Sequence, residues 1–339
     1  MSILDSERLL SGDTQVGIEA PGRLHLGFVD LHGGMGRRFG SIGLALDWPS
    51  VKVFARPADA MKVEGLHAER ATRLLQHLHE HFPFPATHIS IEGNAPAHQG
   101  LGAGSQLAIA VSVAVCRLHG IQAGPRQISE LLDRGAQSGI GVAIFEDGGF
   151  VVDGGRGTTS APPPVVSRMD FPAHWRVVLV LDSAPRTLPV LTEQDLLRKL
   201  PPFPPALADR LCRELLMRAL PAVAEEDYEN FARAIGEIQR CVGDYFAPVQ
   251  GGRFTSPQVA AVLERFEAMG AQCVGQSAWG PTGFAIVDSE TFAHLLVRDA
   301  KDVFGSHLGA CQMHIVAARN HGAHVCAGWQ PKVVPNSAS

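Results

Sequence analysis

Gly100-Leu101-Gly102-Ala103-Gly104-Ser105-Gln106 carries more information than any other stretch of this chain. It comes four residues after Pro96 and after a strand expected at 88–92, and it opens directly into an apolar helix expected over about 106–118. Glycines let a backbone approach a ligand closely, and a helix start offers unpaired N–H groups and a dipole that favours an anion. No Lys follows the last glycine, so this is not the lysine-bearing loop of the nucleotide hydrolases. G-x-G-x-G also lacks the spacing of a dinucleotide-binding fingerprint. Three glycines and a proline at a strand-to-helix junction point to phosphate, with a tight turn lacking any ligand as the alternative.

On the N-terminal side, Val16, Ile18, Leu24, Leu26 and Phe28 alternate as in a strand, and a glycine-rich stretch runs from Gly33 to Gly43. A second strand is expected at 51–54 and an amphipathic helix over about 68–82, stopped by Pro83. A shorter helix is expected over 128–136. Thr158 to Val166, which contains Pro162-Pro163-Pro164, resists both helix and sheet and marks a domain boundary between residues 1–160 and 167–330. The second part reads as a strand (177–181), helices (207–220, 226–241, 257–269), strand-turn-strand (271–287), a helix (289–303) and a strand (312–317). With the helices collapsed, this is β-α-β-β-α-β, the ferredoxin-like order. There is no internal repeat.

With 339 residues, 45% of them apolar and 19% charged, two domains of ordinary size are expected. A net charge of −5 and 6% aromatic residues argue against nucleic acid as a partner. The six cysteines, at 116, 212, 241, 273, 311 and 326, contain no C-x-x-C pair and read as reduced thiols. The N-terminal residues show no basic-then-apolar signal pattern, and the longest apolar run is too short to span a bilayer. A cytoplasmic protein without membrane contact is expected.

Pro96-x-x-x-Gly100-Leu101-Gly102, Ala20-Pro21-Gly22-Arg23-Leu24-His25-Leu26 and Gly275-Gln276-Ser277-Ala278-Trp279-Gly280-Pro281 resemble, in order, the three motifs of the GHMP kinase superfamily. That resemblance implies an α+β, two-domain GHMP-kinase-like fold, with a ribosomal S5 domain 2-like N-terminal domain and a ferredoxin-like C-terminal one. Two departures stand out. Ala103 and Gly104 occupy the place of the kinases' Ser pair, and Ser138-Gly139-Ile140-Gly141 has glycine where many of those kinases carry a catalytic Asp. Without a positioned base, an alcohol is poorly activated for attack on ATP.

The strings Arg23 to Leu31, Gly36-Arg37, Gly100 to Gln106, Ser138 to Glu146, Gly148 to Gly155 and Gly275 to Thr282 resemble a non-kinase branch, the β-ribofuranosylaminobenzene 5′-phosphate synthases. The resemblance implies condensation of phosphoribosyl pyrophosphate with 4-aminobenzoate or 4-hydroxybenzoate, release of pyrophosphate and CO2, and a place in tetrahydromethanopterin biosynthesis. It also implies a homodimer and Mg²⁺. Arg23, His25, Asp30 and Arg37 become the catalytic candidates. Gly100, Gly102, Gly104, Ser105, Gln106, Ser138 and Gly139 would bind phosphate, Ser277 and Trp279 the substrate, and Asp153 the metal.

Guanidinium groups suit bidentate binding of phosphate or carboxylate, which favours Arg23 and Arg37 over Arg38 and Arg134. His25 and Asp30 also fit structural roles, Asp30 as the cap of the glycine turn after it. Trp279 fits packing as well as stacking on an aromatic acid, and Glu146 fits a solvated loop. His77, His79 and His81 read as the polar face of a helix. Two other functions stay open: a small-molecule kinase with a relocated base, and a nucleotide-binding regulator without catalysis.

Overall fold

The alternating apolar residues near the N-terminus build a long strand, β1 (Val16–Asp30), that serves two cores in turn. Ile18 and Ala20 face one core, and Leu24, Leu26 and Phe28 face another, with a register irregularity between Ala20 and Gly22 turning the strand over. The computed structural model describes residues 15–93, 99–184, 198–278 and 280–327. β2 (Phe39–Pro57) pairs antiparallel with β1 along most of its length, so the glycine-rich stretch is already strand from Phe39 onward.

The first sheet has seven strands in the order β11-β1-β2-β4-β3, where β3 is Lys62–Gly65, β4 is Thr87–Gly93 and β11 is His324–Ala327. β5 (Phe150–Asp153) pairs with the early part of β2, and β6 (Val165–Met169) pairs with β5. Helices α1 (Ala68–His81) and α2 (Ala103–Leu118) pack on one face of this sheet. α2 is apolar almost all round and buried accordingly, with α3 (Pro125–Leu131) and α4 (Ile140–Asp147) against it. The sequence reading gave no helix at α4.

The second sheet has the order β10-β7-β9-β8, with β7 at Arg176–Asp182, β8 at Cys273–Gln276, β9 at Gly283–Val287 and β10 at Cys311–Val316. Fourth-first-third-second is the strand order of a ferredoxin-like sheet. Both faces of β7 are covered. Val177, Leu179 and Leu181 meet the core shared with the first sheet, while Val178 and Val180 meet α8 (Pro257–Ala268) and α9 (Glu290–Phe304).

The expected helix over 207–220 is α5 (Pro205–Glu214), a wider turn at Leu215–Ala219 and α6 (Leu220–Glu225). Pro221 has no N–H to give to the preceding turn, and the wider turn lies just before it. α7 (Tyr228–Gln250) lies between the two sheets. Among the described residues, no helix is long and apolar enough to cross a membrane.

The two sheets do not divide at the proline-rich segment. β6 follows those prolines yet pairs with β5, and β11 returns near the end of the chain to pair with β1, Val16 opposite Ala327. Unpaired edges of β1 and β5 demand hydrogen-bond partners, and later chain supplies both. The expected units 1–160 and 167–330 are therefore interleaved.

Phe231 of α7 touches Phe150 of the first sheet at 5.9 Å between centroids, and Phe171 and Trp175 ahead of the second at 5.4 and 5.0 Å. Phe231→Ala is expected to lower stability by about 3–5 kcal/mol in urea unfolding, since the cavity opens in the core that joins the sheets.

Candidate active site

The glycine loop starts α2 in the manner its composition requires. Gly100 and Gly102 have φ of +79° and +75°, and Gly102 caps the helix with no side-chain cap. Ser105 and Gln106 both donate their backbone N–H groups to the Gly102 carbonyl at 3.0 Å. The helix start is therefore an open, positive dipole end. Above it lies Arg23, whose N–H donates to the Leu101 carbonyl at 3.0 Å. A Cβ on Gly102 would come within 2.9 Å of the Arg23 Cβ, so the glycine is what lets Arg23 lie against the loop. No protein group among the described residues bonds the Ser105 hydroxyl.

Ser277 ties this loop to the other two motif segments. Its buried hydroxyl donates to the Gly100 carbonyl at 2.8 Å and accepts the His25 N–H at 3.0 Å. A Cβ on Gly100 would collide with the Ser277 carbonyl, and one on Gly280 with the backbone of Gln99.

Two clefts are lined by arginines, and one of them borders the loop. One, of about 840 Å³, is lined by Arg70, Arg73, Arg134 and His67, among others. Arg70 reaches the first turn of α2, where a Cβ on Gly104 would be 2.5 Å from its guanidinium. Burial, then Arg134 and Arg73, push the Arg70 pKa down. Among the described residues it has no carboxylate partner. The second cleft, of about 570 Å³, is lined by Arg37, Arg38, Arg156 and Arg198, with no carboxylate among its described lining residues. Gln137, just before the start of α4, borders it. Arg70 and Arg73 were not candidates from sequence, because they lie some thirty residues before the loop and read there as one charged helix face.

Several expected ligand contacts are already engaged within the protein. The Asp153 carboxylate is 2% exposed and accepts from the N–H groups of Ser41 (3.0 Å), Gly155 (2.9 Å) and Gly139 (2.8 Å), and from the Ser138 hydroxyl (3.3 Å). That occupies both oxygens and leaves no room for a hydrated cation, so Asp153 does not fit Mg²⁺. Burial nonetheless pushes its pKa up, against the pull of these donors. Ser138 and Gly139 give Asp153 the donors expected for phosphate. Gln106 is buried and donates from Nε2 to the Gly141 carbonyl at 2.8 Å, joining α2 to α4, while its Oε1 has no hydrogen-bond partner among the described residues. Ser277 is fully buried and ties Gly100 to His25.

His25 is buried, and its Nδ1 accepts from the Gly27 N–H at 3.1 Å. Burial, then the charge of Arg23, hold it well below the usual 6.5, so it stays neutral and cannot serve as an imidazolium acid. Asp30 takes the N–H groups of His32 and Gly33 on Oδ1, both at 2.8 Å, which is the turn-capping role. Arg37 remains in its cleft with Nε and Nη2 donating to the carbonyls of Gly154 and Gly155, each at 2.6 Å. Trp279 and Pro96 lie outside the described residues. His77 and His81 group with Glu80 on the exposed side of α1 in an arrangement of metal-binding character, and His77 also lines the Arg70 cleft.

The models of the GHMP kinases N terminal domain and the GHMP kinases C terminal domain match residues 68–149 and 219–304. A β-ribofuranosylphenol 5′-phosphate synthase of Archaeoglobus fulgidus is 33% identical over 91% of this chain and 98% of its own length. The synthase of the same name from Methanothermobacter thermautotrophicus is 30% identical over 90% and 97%. The chain belongs to this synthase family, within the GHMP kinase superfamily. A homoserine kinase from Cytophaga hutchinsonii shares the fold, with a TM-score of 0.66 and 18% identity over 94% of this chain and 99% of that one. In this synthase-family chain Gly141 stands where many kinases of the superfamily place their base, and a Cβ there would lie 3.8 Å from that of Ser105, beside the loop.

Two measurements check these assignments. Because His25 is neutral when folded but binds a proton near pH 6.5 when unfolded, it makes stability fall as pH drops below 6.5, by up to about 1.4 kcal/mol per unit. His25→Asn, which retains an acceptor for Gly27, should show a correspondingly flatter stability–pH curve in denaturant titrations. Asp153→Ala should cost about 3 kcal/mol or more by leaving three N–H groups unpaired. A metal ligand would instead leave stability intact and alter the Mg²⁺ requirement.

Proposed function

We propose that this protein joins phosphoribosyl pyrophosphate to 4-hydroxybenzoate, releasing pyrophosphate and CO2. The observation that carries this reading is the similarity, over nearly their whole length, to synthases whose name specifies a ribofuranosylphenol phosphate product. 4-Aminobenzoate would give the corresponding aminobenzene, and a place before tetrahydromethanopterin would follow for either product.

The chemistry suits a site with many guanidinium groups and no base at position 141. The anomeric C–O bond breaks with its electron pair going to pyrophosphate. The ring carbon that bears the carboxylate then forms the new C–C bond, and the C–CO2 bond breaks to return its pair to the ring. CO2 leaves where a simple substitution would lose a proton, so the step needs no general base. Negative charge grows on the departing pyrophosphate, and fixed positive groups stabilise that transition state. Arg23 and the start of α2 supply them at the loop, and Arg70 supplies another beside it. Mg²⁺ enters in this reading as the complex of the pyrophosphate substrate, since Asp153 is filled by protein donors.

Incubation with the Mg²⁺ complex of phosphoribosyl pyrophosphate and carboxyl-labelled 4-hydroxybenzoate is expected to yield labelled CO2 and pyrophosphate in equal amounts, without ATP. Faster turnover of 4-aminobenzoate would reassign the acceptor. ADP formation that depends on an added alcohol, with no CO2, would favour the kinase reading.

A further inference from the structure

The two clefts differ in what their arginines already do. In one, Arg37 gives Nε and Nη2 to the carbonyls of Gly154 and Gly155, and Arg38 gives Nε to that of Leu31. These side chains are fixed by the protein and present their remaining N–H groups. In the other, Arg70 is half-buried, lies against the first turn of α2, and has neither a carboxylate nor a carbonyl acceptor among the described residues. Arg73 and Arg134 line the same cleft and repel it. Three guanidiniums against the single carboxylate of Glu69 leave the described lining of this cleft positive, and a multiply charged anion relieves the remaining repulsion.

Resting on the transferase reading above, we infer that Arg70, flanked by Arg73 and Arg134, holds the pyrophosphate group of the ribosyl substrate at the start of α2, while the Arg37 cleft holds the 5′-phosphate. The leaving group is where charge grows during reaction. A half-buried guanidinium with all its donors available, beside a helix dipole, stabilises growing charge better than an exposed and partly engaged one. The 5′-phosphate keeps its charge throughout and needs only a fixed fork. The ribose then spans the loop between Arg70 at Gly104 and the start of α4, under Arg23.

Calorimetric titration of inorganic pyrophosphate and of ribose 5-phosphate into the full chain separates the two ends. Arg70→Met is expected to weaken pyrophosphate binding by at least about tenfold and to leave ribose 5-phosphate within about twofold. Arg37→Met should do the reverse. Because Arg70 has no acceptor and two repelling neighbours, Arg70→Met should leave the melting temperature unchanged or raise it, whereas loss of a structural arginine would lower it. Arg70→Lys should recover only part of the pyrophosphate affinity, since a point charge replaces a planar fork.

Unchanged pyrophosphate affinity in Arg70→Met, or equal losses for both ligands, would overturn the inference even if the enzyme turns over both substrates. Absence of turnover with either benzoate, alongside Arg70-dependent pyrophosphate binding, would remove the transferase reading and leave the pyrophosphate cleft standing.

Discussion

One hydroxyl holds together segments that lie 177 and 252 residues apart. Ser277 donates to the carbonyl of Gly100 and accepts from the N–H of His25, and it is fully buried while doing so. A buried carbonyl and a buried N–H each need a partner, and this side chain serves both. The contact fixes the loop ahead of α2 against β1 and the turn after β8. Arg23, two residues before His25, thereby comes to lie against Gly102. Asp153 does the equivalent work on the other flank, gathering Ser41, Ser138, Gly139 and Gly155 around one carboxylate. The site is shaped by polar groups bonded within the protein.

What remains facing outward is positive. The chain as a whole carries a net charge of −5, yet seven arginines line two clefts, one of them beside the loop. The superfamily's fold places a helix dipole at the loop, and this member surrounds that dipole with guanidiniums and leaves glycine at position 141. Such a site is poor at removing a proton from an alcohol and well suited to anions whose charge increases during reaction. The fold is shared with kinases such as homoserine kinase, and the difference in chemistry lies in a few side chains set on it.

Local pattern reached far into this structure. The periodicity of residues 68–82 with its stop at Pro83, and the glycine loop before the apolar run, placed α1 and α2 within a few residues, and the β-α-β-β-α-β order anticipated the second sheet. It failed where tertiary pairing decides. β6 belongs to the first sheet although prolines precede it, and β11 closes an edge of β1 from the far end of the chain. Ile140–Asp147 is helical, yet its nearly unbroken apolar run shows no helical face, because it is buried on every side.

The sequence by itself determined the fold, through ordered motifs and two periodicities, and it placed glycine at position 141. It located the glycine loop at the start of α2, because glycines before an apolar helix are a local signature. It could not tell which polar side chains face a ligand. Asp153, Ser138, Gln106 and Ser277 have the right chemistry for a site, but their partners lie across the fold, and only the structure shows which of their atoms are already bonded within the protein. Nor could it single out Arg70, since a guanidinium's role depends on whether an acceptor lies within reach. Only the packing of α1 against the start of α2 decided that none does.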